Sequence, residues 1–250
     1  MNKLLSPLFL LYKLWVGFVF WISLLLLFPF FWILMQRKRW FKHVFKLKRF
    51  WSRLFQVLLL CPVKSTWIGK KPEPPYVIAS NHSSYVDTVF FFSVFSDYFL
   101  FIGKSELLKW PLFGSFFKYM DIPVARENLR DSYKALRKAH NAIKHGECIA
   151  IYPEGTVPLD SPRLGNFKNG AFRLAIEEQV PILPVTWTTN YRIFSDPTTP
   201  FNPSYPQISR VIIHPAIETK GMSEKDIGAL RKRVFEVIDS AVPKGHQRTS

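Results

Sequence analysis

The sequence predicts an α/β fold, a mainly parallel sheet flanked by helices, carried behind an N-terminal hydrophobic helical membrane anchor. Two observations predict it. Short, turn-bounded apolar runs alternate with helix-period segments from about residue 65 onward, and residues 4–35 are almost uninterrupted apolar. The length of 250 residues holds one good-sized domain plus an appendage, with a core that needs no disulfide or metal.

The anchor comes first. Residues 17–35 contain no charge over a length close to that needed to span hydrocarbon. A cleaved signal peptide has a shorter apolar region and a small-residue cleavage site, whereas Gln36-Arg37-Lys38-Arg39 follows here. Residues 37–53 interleave Lys42, Lys46, Lys48, Arg49 and Arg53 with Trp40, Phe41, Phe45, Phe50 and Trp51. Anionic headgroups attract such basic side chains by roughly 1 kcal/mol each, and the aromatic rings suit the interface. The cluster therefore predicts the cytoplasmic face of the cell membrane. The apolar run 54–63 is short for a span and predicts an interfacial helix or the return arm of a re-entrant hairpin. The division expected is an anchoring region, 1–64, and a soluble domain, 65–250.

Pro72, Pro74 and Pro75 mark the turn into that domain. Strands are expected at 76–80, 99–103, 148–152, 182–187 and 208–214. A helix is expected over 129–145, where Tyr133, Leu136, Ala139, His140 and Ile143 share a face and Gly146 offers a stop. Ser223 and Asp226 open another in capping-box style, with Ile227, Leu230, Val234 and Ile238 on its apolar side.

The composition narrows the function classes. A formal charge of +16 could suit a nucleic-acid binder, but the densest basic cluster abuts the apolar segment, where lipid explains it, and no nucleic-acid-binding module is present. Cys61 and Cys148 lie in apolar stretches without metal-ligand spacing and read as buried thiols. His140 and His145 lack the H-E-x-x-H spacing of a metal site. Gly103-Lys104-Ser105 is not a phosphate-binding loop, because the earlier glycine position is Tyr98.

Four constellations could carry chemistry. Asn81-His82-Ser83-Ser84-Tyr85-Val86-Asp87 follows the strand 76–80, at the carboxyl edge where open parallel sheets bind ligands. A carboxylate on one imidazole nitrogen fixes the tautomer and frees the other to take a proton from a hydroxyl. The bland alternative is that Ser84-x-x-Asp87 is only a helix cap. Tyr152-Pro153-Glu154-Gly155-Thr156 follows the strand 148–152, and two polar clusters at strand ends of one sheet can converge. Residues 121–126 form an apolar edge ending in Arg126, whose planar fork suits a phosphate or carboxylate. Residues 180–185 are a proline-bracketed buried strand. A serine hydrolase is the nearest rival chemically, but the G-x-S-x-G elbow is missing.

These four blocks in this order resemble the PlsC-type glycerolipid acyltransferases over residues 65–214. His82 and Asp87 match the family's H-x4-D signature, residues 123–126 its second block, Glu154-Gly155-Thr156 its third and residues 180–185 its fourth. The resemblance implies an O-acyltransferase that moves a fatty acyl group from acyl-CoA or acyl carrier protein to a lysolipid hydroxyl, with lysophosphatidate as the first acceptor. It implies His82 as general base, Asp87 as its orienting partner, Arg126 and Glu154 on the acceptor headgroup, and backbone N–H groups of the 154–156 turn as oxyanion donors. Lys104 and Lys168 are further phosphate candidates. No cofactor or metal is implied, and the partners are the bilayer, the acceptor and the acyl donor, not nucleic acid. One departure stands out: the third block commonly continues with arginine, and here Val157 takes that place. Either Arg163, Lys168 or Arg173 compensates, or the acceptor is another lysolipid, such as an aminolipid without the phosphate.

Overall fold

The computed structural model describes residues 5–125, 129–196 and 198–248. Seven strands form one sheet in the order β1-β7-β6-β2-β5-β3-β4. They are β1 (Val63–Trp67), β2 (Val77–Ser80), β3 (Phe99–Lys104), β4 (Ile122–Val124), β5 (Cys148–Ile151), β6 (Ile182–Trp187) and β7 (Ser209–Ile213). Strands β6, β2, β5, β3 and β4 are mutually parallel, whereas β7 runs antiparallel to β6 and carries the parallel β1 outside it.

Strand periodicity sorts the core into two layers. In β2, Ile78 faces one way and Val77 and Ala79 the other, and each side belongs to a separate apolar cluster. On the Ile78 side lie α1 (Ser6–Met35), α2 (Phe41–Leu58), α3 (Asp87–Val94) and α4 (Gly114–Tyr119). The Val77 side is covered by α5 (Leu129–Lys144), α6 (Gly170–Glu177) and α8 (Ile227–Ser240). Burial on both faces is why the central strands read as continuous apolar runs.

All five expected strands are present within one residue at each end. Two more are present that the sequence does not predict. β1 is a mostly exposed edge strand of sequence VKSTW, and β4 is three residues long inside the 121–126 edge, so neither has a readable period. The sheet therefore starts at Val63, and the boundary expected between residues 64 and 65 falls inside β1. The capping box of Ser223 and Asp226 forms as expected, closing a short 3-10 turn (Glu224–Asp226) that runs into α8.

The anchor region is a helical hairpin. Its helix α2 is one 18-residue element that takes in most of the basic segment and part of the apolar run after it. It returns antiparallel along α1: Trp51 Nε1 donates to Ser23 Oγ at 2.9 Å and Trp15 Nε1 to Leu58 O at 3.2 Å. α1 is long and apolar enough to cross a membrane by length and composition. Its outward face exposes Leu8, Leu11, Leu14, Phe18, Leu25, Leu26, Phe30 and Ile33. The reading of Lys48 as a headgroup-binding cation needs correction. Lys48 is buried, 2.8 Å from Asp121 Oδ2, with the rings of Phe92 and Phe116 around its ammonium. Helical periodicity puts it on the protein-facing side, whereas Lys42, Lys46 and Arg53 are exposed.

Candidate active site

The parallel direction of β3, β5, β2 and β6 brings the carboxyl ends of these neighbouring strands to one edge, where loops from distant sequence meet. β2 ends into the His82 loop. Asn81 pins its start, donating through Nδ2 to Trp187 O at 3.0 Å and accepting the Trp187 N–H on Oδ1 at 2.7 Å. That bidentate clasp continues the β2–β6 pairing by one side chain.

Asp87 opens α3 and is fully buried. Its Oδ2 accepts the Ser83 and Ser84 N–H groups at 2.7 and 2.8 Å and meets His82 Nδ1 at 3.1 Å. One carboxylate oxygen thus makes both the backbone contacts of a cap and the contact with the imidazole. Ser84 does not itself cap α3 with its side chain; its hydroxyl donates to Phe194 O at 2.7 Å. The imidazole is also held on its face: the Tyr152 ring lies parallel to it, centroids 4.0 Å apart and planes 10° apart. Tyr152 in turn stacks on Phe101. Motif spacing gives no hint of this stack, although Tyr152 stands two residues before the third block.

Glu154 follows β5 and turns inward. Its Oε1 accepts the His82 N–H at 2.7 Å and its Oε2 the Gly165 N–H at 2.6 Å. It is buried, and the two bonds clamp the His82 loop to the loop at Gly165. Burial pushes its carboxyl up to about 7, Asp87 adds to the rise, and the two backbone donors and Arg248 oppose it. Gly155 takes φ +78°, which a side chain would strain, and its N–H closes the turn on Tyr152 O at 2.9 Å.

A cavity of about 570 Å³ runs from His82 to the N-terminal hairpin. Gly155, Thr156, Val157 and Lys104 line it near the His82 loop; Gly17, Phe20, Trp21 and Phe55 line it on the hairpin. Lys104 is the only lysine or arginine among the described lining residues. Lys168 lies outside the lining and is exposed, and its backbone N–H donates to Pro153 O at 2.9 Å. Arg163 is exposed outside the lining as well, and Arg173 pairs with Glu224 at 3.3 Å. The Arg126 expectation lies outside the described residues.

A family model described as acyltransferase matches residues 63–188, from the first residue of β1 through the end of β6. The chain belongs to the acyltransferase family. It is 32% identical over 165 residues to a 1-acyl-sn-glycerol-3-phosphate acyltransferase of Pseudomonas aeruginosa, covering 65% of this chain and 62% of that one. A probable 1-acyl-sn-glycerol-3-phosphate acyltransferase of Mycoplasma genitalium is 32% identical over 154 residues, 58% of this chain and 54% of its own. A chloroplastic one of Brassica napus is 34% identical over 115 residues, 46% and 33%. The matches thus span a third to about three fifths of these curated relatives. Among solved structures of the family, the 1-acyl-sn-glycerophosphate acyltransferase PlsC of Thermotoga maritima superposes with a TM-score of 0.70 at 26% identity, over 100% of both chains.

Proposed function

We propose that this protein transfers a fatty acyl group from an acyl thioester, acyl-CoA or acyl carrier protein, to the free hydroxyl of a lysolipid, with lysophosphatidate as acceptor and phosphatidate as product. The observation that carries it is the His82–Asp87 contact at the head of an apolar cavity. Asp87 takes Nδ1, so Nε2 is the nitrogen left to act. Nε2 removes the acceptor proton as its oxygen attacks the thioester carbonyl. Collapse of the tetrahedral intermediate breaks the C–S bond, and the imidazolium returns its proton to the leaving thiolate. No acyl-enzyme is needed. Since the Gly155 N–H is engaged in the turn, the N–H of Thr156, which lines the cavity, is the candidate oxyanion donor. The names of the relatives above support the acceptor choice.

The deciding assay uses detergent-purified protein, palmitoyl-CoA, and lysophosphatidate in parallel with phosphate-free lysolipids. Product from lysophosphatidate supports the reading, with Lys104 as the described cation at the cavity. Transfer only to phosphate-free lysolipids moves the function to the second reading, which Val157 in the cavity wall favours. No transfer to either rejects both.

The hairpin supports attachment to one leaflet of the cell membrane at its cytoplasmic face. α1 has 30 residues, about 45 Å, yet the protein holds it along nearly its whole length. Lys13 Nζ donates to Asp196 O and Thr199 O at 3.1 and 2.6 Å near one end, and Phe31 and Met35 are buried near the other. The exposed apolar stripe then faces lipid, and the exposed Lys42, Lys46 and Arg53 of α2 face headgroups.

Two side chains test the assignment of space. Gly17 borders the cavity, and a Cβ there meets nothing within 4 Å. Gly17→Leu is expected to cut transfer of palmitoyl groups by about tenfold or more while sparing octanoyl groups; equal loss for both lengths places the chain elsewhere. Glu154→Gln retains one acceptor oxygen for two N–H donors, so kcat is expected to fall with KM for the acceptor nearly unchanged. A raised KM alone returns Glu154 to the headgroup.

A further inference from the structure

Asp87 is held from a second side that none of the four motif blocks contains. Asn190, fully buried in the short helix α7 (Asn190–Ile193), donates through Nδ2 to Asp87 Oδ1 at 2.8 Å. An ionised carboxylate only accepts hydrogen bonds, so the amide must present its nitrogen to Asp87 and its oxygen to the other side. On that side stands Ser209, also fully buried at the start of β7, whose hydroxyl donates to Asn190 Oδ1 at 2.6 Å. Ser209 is itself fixed by its backbone N–H, which donates to Pro62 O at 3.0 Å. The carboxylate thus selects the orientation of the amide, the serine hydroxyl holds the amide oxygen in place, and the amide delivers a donor to the carboxylate beside His82.

We infer that Asn190 and Ser209 are positioning residues of the catalytic pair: Ser209 sets the Asn190 amide, and Asn190 sets the plane and charge of the Asp87 carboxylate against His82. The inference rests on the acyl-transfer reading for its kinetic readout and on geometry alone for its spectroscopic one. Oδ2 is shared among His82 and two backbone donors, so its lone pairs are directed at the loop. Oδ1 controls the remaining freedom, rotation of the carboxylate about its own bond. Without the Asn190 donor the carboxylate turns, and its uncompensated charge favours the imidazolium over the neutral imidazole that the reaction needs. Among the described residues, the other titratable groups facing the pair are Tyr85 in the same loop and Tyr152 and Glu154 after β5, and substitutions at 190 and 209 leave them in place.

The test compares wild type, Asn190→Leu, Ser209→Ala and the double variant. Asn190→Leu removes the donor at similar volume and is expected to lower kcat about tenfold or more, leave acceptor KM within twofold, and move the acid limb of the kcat/KM profile to higher pH. Ser209→Ala, a one-oxygen deletion that keeps the fold, is expected to cost less and to add nothing when combined with Asn190→Leu, since it acts through the amide. In parallel, the hydrogen-bonded His82 Nδ1 proton is followed by NMR and assigned by its loss in His82→Ala; it is expected to shift or broaden in both single variants. Wild-type kcat with an unmoved His82 proton overturns the inference, and so does fully additive loss in the double variant. If wild type itself transfers no acyl group, the acyl-transfer reading fails, while the His82 proton still decides whether Asn190 and Ser209 hold the pair.

Discussion

Replacing His82 with alanine is expected to lower kcat by about 10²- to 10⁴-fold, the usual contribution of a positioned base, with the protein still folded and bound to membranes. The retention of fold follows from how the loop is held. Its backbone is tied by Glu154 Oε1 to the His82 N–H, by Asp87 to the Ser83 and Ser84 N–H groups, and by Asn81 to Trp187. None of these uses the imidazole. What is lost is the stack on Tyr152 and the contact with Asp87, both at the cavity wall, where the His82 side chain is 15% exposed. Asp87→Asn is expected to be comparably damaging, because an amide offers one acceptor where the carboxylate accepts on both oxygens. Initial rates at saturating acceptor and a thermal melt separate the two effects. A His82→Ala protein with full activity removes the base from the mechanism.

The parts of this site that are legible in the sequence are those whose partners are close in the chain. His82 and Asp87 are five residues apart, and their pairing follows from a strand that ends just before His82 and a helix that begins at Asp87. Glu154 is legible as a residue but not as a clamp, because its partners, His82 and Gly165, sit 72 and 11 residues away. Asn190 stands 103 residues from Asp87, in a polar run after a strand that looks like any turn. The same logic explains the fold. β2, β3, β5, β6 and β7 carry dense apolar runs because they are buried, while the edge strand β1 and the three-residue β4 need their neighbours to define them. Lys48 misleads for a related reason: its neighbours in sequence are basic and aromatic, and only helical phase distinguishes it from Lys42 and Lys46.

That buried lysine leads to the second large effect. Asp121→Ala is expected to destabilise the protein by about 3–5 kcal/mol. Lys48 Nζ lies 2.8 Å from Asp121 Oδ2 with both side chains nearly inaccessible, and Asp121 Oδ1 accepts the Phe101 N–H at 3.0 Å. Removing the carboxylate strands an ammonium ion among Phe92 and Phe116 and orphans a strand donor. The rings soften the first loss and do nothing for the second. Pairing Asp121→Ala with Lys48→Met removes the stranded charge and keeps the apolar stem, so the double variant is expected to recover most of the stability. The effect is also expected in catalysis. Phe101 lines the cavity and stacks on Tyr152, which stacks on His82, so the ion pair between α2 and the end of α4 supports the imidazole through two rings. Denaturant unfolding in detergent measures the first consequence and kcat the second. A double variant no more stable than Asp121→Ala would show that the cost lies in the orphaned Phe101 N–H rather than in the unpaired lysine; a single variant of wild-type stability would show that water reaches Lys48 and that the hairpin is docked by its apolar contacts alone.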